Sequence, residues 1–348
     1  MAVNIMPPSL CQCCNWRRRQ ESAFLLKSPR FPEEGFHDYD DVDPGAALAA
    51  AVKRPGGQAE ALRHLKIIMS RSLDPLKFID SDQLSHMLRV AKRFDEFVCL
   101  ARPDFGKEGW CTGIAGESGL WFGYRIDDSK RTLHLVVVQD MHGIDPVRAL
   151  AGYCSPKLFH QHSSDVQSCT VLAESADSAL WNQVRQFSDD VVQVDLVNAL
   201  DEHLGAIMIM IYPQPDSSPE FPAASIPGPC RKLRSRSNKQ CITLTPLPGG
   251  VRMHVAAVTD LGDKKTRLEV ERSSVDGMAR LLRPFVGVWP KQFETFLRER
   301  QADLIHEEAF SPHAPFYAVC RAYLTGVAGS RKSSLHQWGF MFDKNAGK

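Results

Sequence analysis

Three residues in the C-terminal third of the chain have the types and the order of a cysteine-based catalytic site. His254 lies in the apolar segment MHVAAVTD, Glu271 closes the segment TRLEVE, and Cys320 lies in the apolar segment APFYAVCRAYL. A thiol attacks as a thiolate, so it needs a base, and the base needs a carboxylate that orients it. Two neighbouring strands would place His254 beside Glu271. The pattern predicts Cys320 as nucleophile, His254 as base and Glu271 as the orienting acid.

The order His, acid, Cys, with the first two on successive strands, resembles the ubiquitin-like-protein proteases and the related YopJ-type effectors. The stretch HVAAVTDLGDKKTRLEVERS is similar to the His-to-Glu hairpin of YopJ-type proteins. The resemblance spans residues 241–325 and implies a cysteine protease or acyltransferase that bacteria deliver into host cells to act on host proteins. It also implies acetyl-CoA and an inositol phosphate as cofactors. Apart from this resemblance, the sequence indicates no cofactor.

The surroundings of Cys320 leave two other interpretations open. The families place a Gln before the nucleophile and usually a Gly after it, but this segment has no Gln and continues with Arg321. If His313 is aligned with the nucleophile instead, the chain is a catalytically inactive relative that binds a protein partner. The third interpretation is a non-enzymatic regulatory protein whose similarity arises by chance.

A second segment repeats the shape of the first. In TLHLVVVQD, His134 begins a strand-like run that ends in Asp, as in MHVAAVTD. Continuing at the family's spacing leads to Tyr153 or Cys154 where an acid is required, and then to His203 where the nucleophile should stand. This frame indicates either a degraded duplication or a chance similarity.

The N-terminal segment CQCCNWRRRQ combines thiols with positive charge. Cys11, Cys13 and Cys14 are too few and too close together for a four-ligand zinc site. Beside an arginine run, they suit S-acylation at an anionic membrane surface, because a lipid and a polybasic segment together give stable anchoring. The alternative is a disordered leader with incidental cysteines.

A second basic segment, CRKLRSRSNK, could bind phosphate groups. Its candidate residues are Arg231, Lys232, Arg234 and Arg236. The alternative is a solvated linker. In the segment FHQHSSD, the side chains of His160, His162 and Asp165 lack a recognisable ligand spacing, so the sequence predicts no metal site.

Composition narrows the function classes. The 42 basic and 41 acidic residues give a net charge of +1, which argues against a dedicated nucleic-acid-binding protein. The N-terminus lacks the apolar run of a signal peptide, and the longest apolar stretch, at 207–212, is too short to span a membrane. We therefore expect reduced cysteines in a soluble protein. The resemblance places it in the host cytoplasm or at a host membrane, with the bacterial cytoplasm as the alternative.

The pattern along the chain predicts an α+β fold in which helices pack on a mixed sheet. Residues 1–45 read as a disordered leader, 46–215 as an α+β domain that begins with helices, 216–240 as a Pro/Ser/basic linker and 241–348 as a smaller strand-and-helix region. Within the main domain, RALAGYC reads as a strand and DSALWNQVRQF as a helix.

Overall fold

The protein was analysed as a computed structural model. The structure describes residues 43–101, 110–115, 120–127, 132–163, 166–185, 191–202, 205–213, 239–260, 277, 280, 282 and 288–329. These residues form two compact units. The first contains the described residues up to 96 except 55–57, and the second contains 55–57 and the described residues from 97 onward.

The first unit is helical, as predicted. It contains α1 (Pro44–Lys53), α2 (Gln58–Ser70), a short 3-10 helix (Pro75–Lys77) and most of α3 (Ser81–Ala101). Aspartates begin two of these helices: Asp43 accepts a hydrogen bond from the backbone N–H of Gly45, and Asp80 accepts from those of Asp82 and Gln83. Such N-caps satisfy backbone donors that have no partner within the helix.

The second unit is built on one antiparallel sheet of nine strands. Its strands are β1 (Cys111–Ala115), β2 (Leu120–Asp127), β3 (Thr132–His142), β4 (Val166–Glu174), β5 (Ser178–Arg185), β6 (Val191–Asp201), β7 (Ala206–Pro213), β8 (Lys239–Leu247) and β9 (Gly250–Asp260). Their spatial order is β1-β2-β3-β9-β8-β7-β6-β5-β4. The last strand in sequence therefore closes the sheet between β3 and β8, and it pairs with β3 over its whole length.

Besides the end of α3, the described part of this unit contains the helices α4 (Pro146–Cys154), α5 (Pro156–His162), α6 (Trp289–Glu299), α7 (Gln301–Phe310) and α8 (Ala314–Gly329). Their buried apolar side chains share one core cluster with side chains from one face of the sheet. We call this face of the sheet the helix face. Among the described residues, no helix is long and apolar enough to cross a membrane.

Strand alternation separates the charges of the sheet. Because successive side chains point to opposite faces, the continuous registers of β3, β9, β8, β7 and β6 fix which residues share the helix face. On these five strands the helix face carries apolar residues with a few neutral polar ones. Every Asp, Lys, Arg and His whose side chain is described lies on the opposite face, namely His134, Asp140, His142, Asp195, Asp201, Lys239, Arg252 and His254.

The observed architecture confirms the α+β prediction and corrects two elements. RALAGYC is helix α4 rather than a strand, because Asp145 accepts hydrogen bonds from the N–H groups of Val147 and Arg148 and Pro146 occupies its first turn. DSALWNQVRQF contains strand β5 rather than a helix. The boundary predicted at 216–240 does not separate two sheets, since β8 and β9 pair with β7 and β3.

The β8–β9 hairpin offers a test of this central pairing. Gly249 has a φ of +74°, and a Cβ added there meets nothing within 4 Å, whereas a Cβ on Gly250 would lie 2.4 Å from the backbone oxygen of Met141. We expect Gly250→Ala to lower the free energy of unfolding more than Gly249→Ala, which adds only backbone strain of about 1 kcal/mol. Chemical denaturation of both variants measures the difference. Equal losses would contradict the tight approach of β9 to β3.

Candidate ligand site

The structure does not bring the proposed nucleophile and base together. Cys320 is fully buried in the core on the helix face, together with Val251 and Met253 of β9. His254 alternates with these two residues and therefore points to the opposite face of the sheet. Burial, with the positive charge of Arg252 as a second cause, lowers the pKa of His254 to about 4. Glu271 lies outside the described residues.

The alternative set of residues that begins with His134 in TLHLVVVQD forms no catalytic group either. His134 lies on the charged face of β3, whereas Cys154 is buried in α4 and its thiol donates to Oδ1 of Asn198 at 3.1 Å. Burial raises the pKa of Cys154 well above its ordinary value, which leaves the thiol protonated and unreactive. His313 is buried at the start of α8, where a ring nitrogen lies 3.3 Å from the carbonyl oxygen of Ala176.

Several candidate residues lie outside the described part of the chain. These are His203, Asp165, the proposed acylation sites Cys11, Cys13 and Cys14, and the proposed phosphate ligands Arg231, Lys232, Arg234 and Arg236. S-acylation and phosphate binding there stay predictions. Among the described residues, no group of three or more His, Cys, Asp or Glu side chains could hold a metal ion.

The helix face carries two separate apolar clusters. The larger lies between α4–α8 and the strands from β4 to β9, with Met141 of β3. The smaller contains Leu120, Phe122, Tyr124, Leu133, Leu135, Val137 and Leu282. On β9, between the two clusters, the side chains of Val255 and Ala257 are only partly buried. A central strand of a sheet thus presents incompletely covered apolar side chains in the middle of an apolar surface.

Two glutamines flank these β9 residues. Gln240 of β8 lies directly opposite Ala257, and Gln139 of β3 lies opposite Met253, one step along the same face from Val255. We call the strip formed by Gln139, Gln240, Val255 and Ala257 the β9 seam. It combines an apolar floor with two neutral amides, the composition expected of a small-molecule site.

Hydrogen bonds position both amides of the β9 seam. The hydroxyl of Tyr153 donates to Oε1 of Gln240 at 3.3 Å, and Nε2 of Gln139 donates to Oε2 of Glu294 at 2.9 Å. The carboxylate of Glu294 is also paired with Arg298 of the next turn of α6, at 2.6 Å. Among the described residues, Oε1 of Gln139 is buried and accepts no hydrogen bond.

An aromatic cluster lies beside Tyr153. The rings of Phe159, His162, Trp289 and Phe293 lie with their centroids 5.5 to 6.2 Å from that of Tyr153. Nε2 of His162 donates to the carbonyl oxygen of Gly152 at 3.1 Å. Burial lowers the pKa of His162 to about 4, so the imidazole is neutral at pH 7. This cluster packs α4, α5 and α6 together without a charged group.

A cleft of about 400 Å³ opens on the outer side of this cluster, between α5 and α6. It is lined by Gln161, His162, Lys291, Gln292, Thr295, Phe296, Glu299 and Arg300. Most of these side chains are exposed, and they carry charges of both signs. The cleft therefore lacks the apolar, uncharged floor of the β9 seam.

Two carboxyl groups near α5 should make stability depend on pH. Burial raises the pKa of Glu307, and burial together with the charge of Glu307 raises that of Glu174. Stability from a raised carboxyl pKa is complete below the unfolded-state pKa and is lost as pH rises through the folded-state pKa. We therefore expect Glu307→Gln to stabilise the protein at pH 7 but not at pH 4, as thermal unfolding at the two pH values would measure. Equal effects at both would contradict a raised pKa.

The sequence analysis identified the strands of the β9 seam but not the site. The signal was present in the period of two along MHVAAVTD and TLHLVVVQD, which places Gln139, Val255 and Ala257 on the face opposite to His254 and His134. Without the order of the strands, the apolar set is not distinguishable from an ordinary sheet core. Neutral glutamines on a strand carry no local signal that marks them as ligand-binding residues.

Comparison with solved structures shows several low-identity matches. Human StAR-related lipid transfer protein 5 is 10% identical, with 63% of this chain and 99% of that chain covered and a TM-score of 0.47. The STAR-related lipid transfer protein from Xanthomonas axonopodis is 15% identical, with 55% and 99% covered and a TM-score of 0.42. Human STARD10 is 14% identical, with 60% and 81% covered and a TM-score of 0.43. No family model and no curated protein sequence matches the chain.

The geometry of the site corrects the sequence-based hypothesis. The resemblance to YopJ-type and ubiquitin-like-protease-type cysteine effectors was wrong, because Cys320 lies in the core on the helix face whereas His254 points to the opposite face. The function inferred from it, a secreted cysteine acyltransferase or protease acting in a host cell, was wrong for the same reason. At these identities and TM-scores, no functional residue is carried over from the neighbours.

Proposed function

We propose that this protein binds a small, uncharged, largely apolar molecule at the β9 seam. The observation that carries the proposal is the helix face itself, where partly covered Val255 and Ala257 lie between two separately packed apolar clusters. Covering these side chains with an apolar ligand removes their surface from water, which contributes about 25 cal/mol per Å². A lipid belongs to this ligand class.

The charge distribution supports an uncharged ligand. From β3 through β9, β8 and β7 to β6, the strands place no ionisable side chain on the helix face. The carboxylate that does approach the β9 seam, Glu294 of α6, is already paired with Arg298. An ionised ligand would lose its hydration without gaining a counter-charge from the sheet, and such a transfer is strongly unfavourable.

Binding of the neutral fluorophore N-phenyl-1-naphthylamine to the full-length protein tests this function. We expect a saturable rise in its emission, and displacement by 1-decanol but at least about tenfold weaker displacement by decanoate, because a charge is costly to bury. The absence of saturable emission, or displacement by decanoate as effective as by 1-decanol, would overturn the proposal.

A further inference from the structure

The two amides of the β9 seam lie on opposite sides of β9 and at different positions along it. Gln240 is on β8 beside Ala257, and Gln139 is on β3 beside Met253. Two strand spacings and four residues along β9 put their backbones about 16 Å apart. Because strand side chains stand roughly perpendicular to the sheet, and both amides bond to helices packed on it, the amides stay about as far apart as their backbones. A ligand group that contacts one amide therefore does not contact the other.

The two amides offer hydrogen-bonding groups of opposite kind. The Tyr153 hydroxyl donates to Oε1 of Gln240, so this partly buried amide offers its Nε2 donors to a ligand. At the other end, Nε2 of Gln139 is engaged by Glu294, and Oε1 remains a buried acceptor on a side chain that is only 5% exposed. A buried polar atom without a partner is costly, and a ligand that supplies one recovers that free energy.

The geometry points to an elongated neutral ligand with a polar group at each end. An oxygen at one end accepts a hydrogen bond from Nε2 of Gln240, and a hydroxyl at the other donates to Oε1 of Gln139, while the apolar middle covers Val255 and Ala257. This inference rests on the proposed function and adds the number, kind and spacing of the ligand's polar groups.

Competition between a diol and an alcohol of equal chain length tests the inference. With N-phenyl-1-naphthylamine as the reporter, 1,10-decanediol and 1,8-octanediol are compared with 1-decanol and 1-octanol. The hydrophobic effect alone favours the mono-alcohol, because the second hydroxyl resists transfer from water. We expect one of the two diols to compete better than its mono-alcohol, since each additional hydrogen bond contributes about three- to tenfold in affinity.

Variants of the two glutamines test whether each amide binds one polar end of the ligand. Gln139→Leu and Gln240→Leu should each remove the advantage of the diol over the mono-alcohol of equal length. Gln193→Leu is the matched control, because Gln193 is a partly buried glutamine on the opposite face of β6. Gln139→Met serves if the leucine variant fails to fold, as judged by a cooperative thermal transition.

The outcomes separate the inference from the function on which it rests. If mono-alcohols compete better than diols by the same factor in wild type and in both leucine variants, the two-ended ligand is overturned and neutral binding at the β9 seam stands. If no neutral compound displaces the fluorophore, the proposed function itself fails. If Gln193→Leu abolishes the diol preference as well, the preference does not arise at the β9 seam and the inference is overturned.

Discussion

Val255→Phe is expected to weaken binding of N-phenyl-1-naphthylamine at least about tenfold. The side chain of Val255 is partly buried between the two apolar clusters of the helix face. A phenyl ring there occupies the space in which we propose the ligand lies, and the partial exposure of Val255 lets the added ring extend into that space. Fluorescence titration measures the affinity for the fluorophore. The midpoint of thermal unfolding of the same sample measures the stability.

Val258→Phe is the matched control for this change. Val258 is also a partly buried valine of β9, but it points to the opposite face of the sheet. Its replacement should leave the affinity for the fluorophore within about threefold of wild type, because it removes none of the surface that the ligand covers. If both variants lose affinity equally, binding does not take place on the helix face, and the β9 seam is not the site.

The fold was predictable wherever local signals agree. Helical periodicity and aspartate caps fix α1 and α3, and the apolar runs bounded by turns fix β3, β8 and β9. Both errors arose where short apolar segments support either structure. RALAGYC contains no capping residue itself, since Asp145 precedes it, and DSALWNQVRQF begins with a Ser and an Asp that suit a helix start.

The site was not predictable because it depends on long-range pairing. The β9 seam exists because β9 inserts between β3 and β8, which places Gln139 and Gln240 on either side of Val255 and Ala257. No local pattern encodes that order. The same pairing explains why the triad hypothesis failed: strand parity assigns His254 to the face opposite the one that packs against Cys320.

Acid is expected to destabilise this protein through its buried histidines, with His254 making a large contribution. Burial, and secondarily the charge of Arg252, lowers the pKa of His254 from 6.5 to about 4. Between these values the unfolded state binds a proton that the folded state excludes, so the free energy of unfolding falls as pH decreases from 6.5 toward 4. The full difference corresponds to roughly 3 kcal/mol for one histidine. His162, whose pKa is also lowered to about 4 by burial, acts in the same direction.

His254→Gln should therefore lose less stability than wild type between pH 7 and pH 4.5, even if it is less stable at pH 7. Urea denaturation at several pH values gives the free energy of unfolding as a function of pH. The slope of this dependence is then measured separately from the stability at pH 7. His142→Gln is the control, because His142 is exposed at the end of β3. The carboxyls Glu174 and Glu307 oppose the trend, since their raised pKa values stabilise the protein as pH falls. An unchanged slope in His254→Gln would mean that this imidazole takes up its proton without unfolding, contrary to its burial in β9.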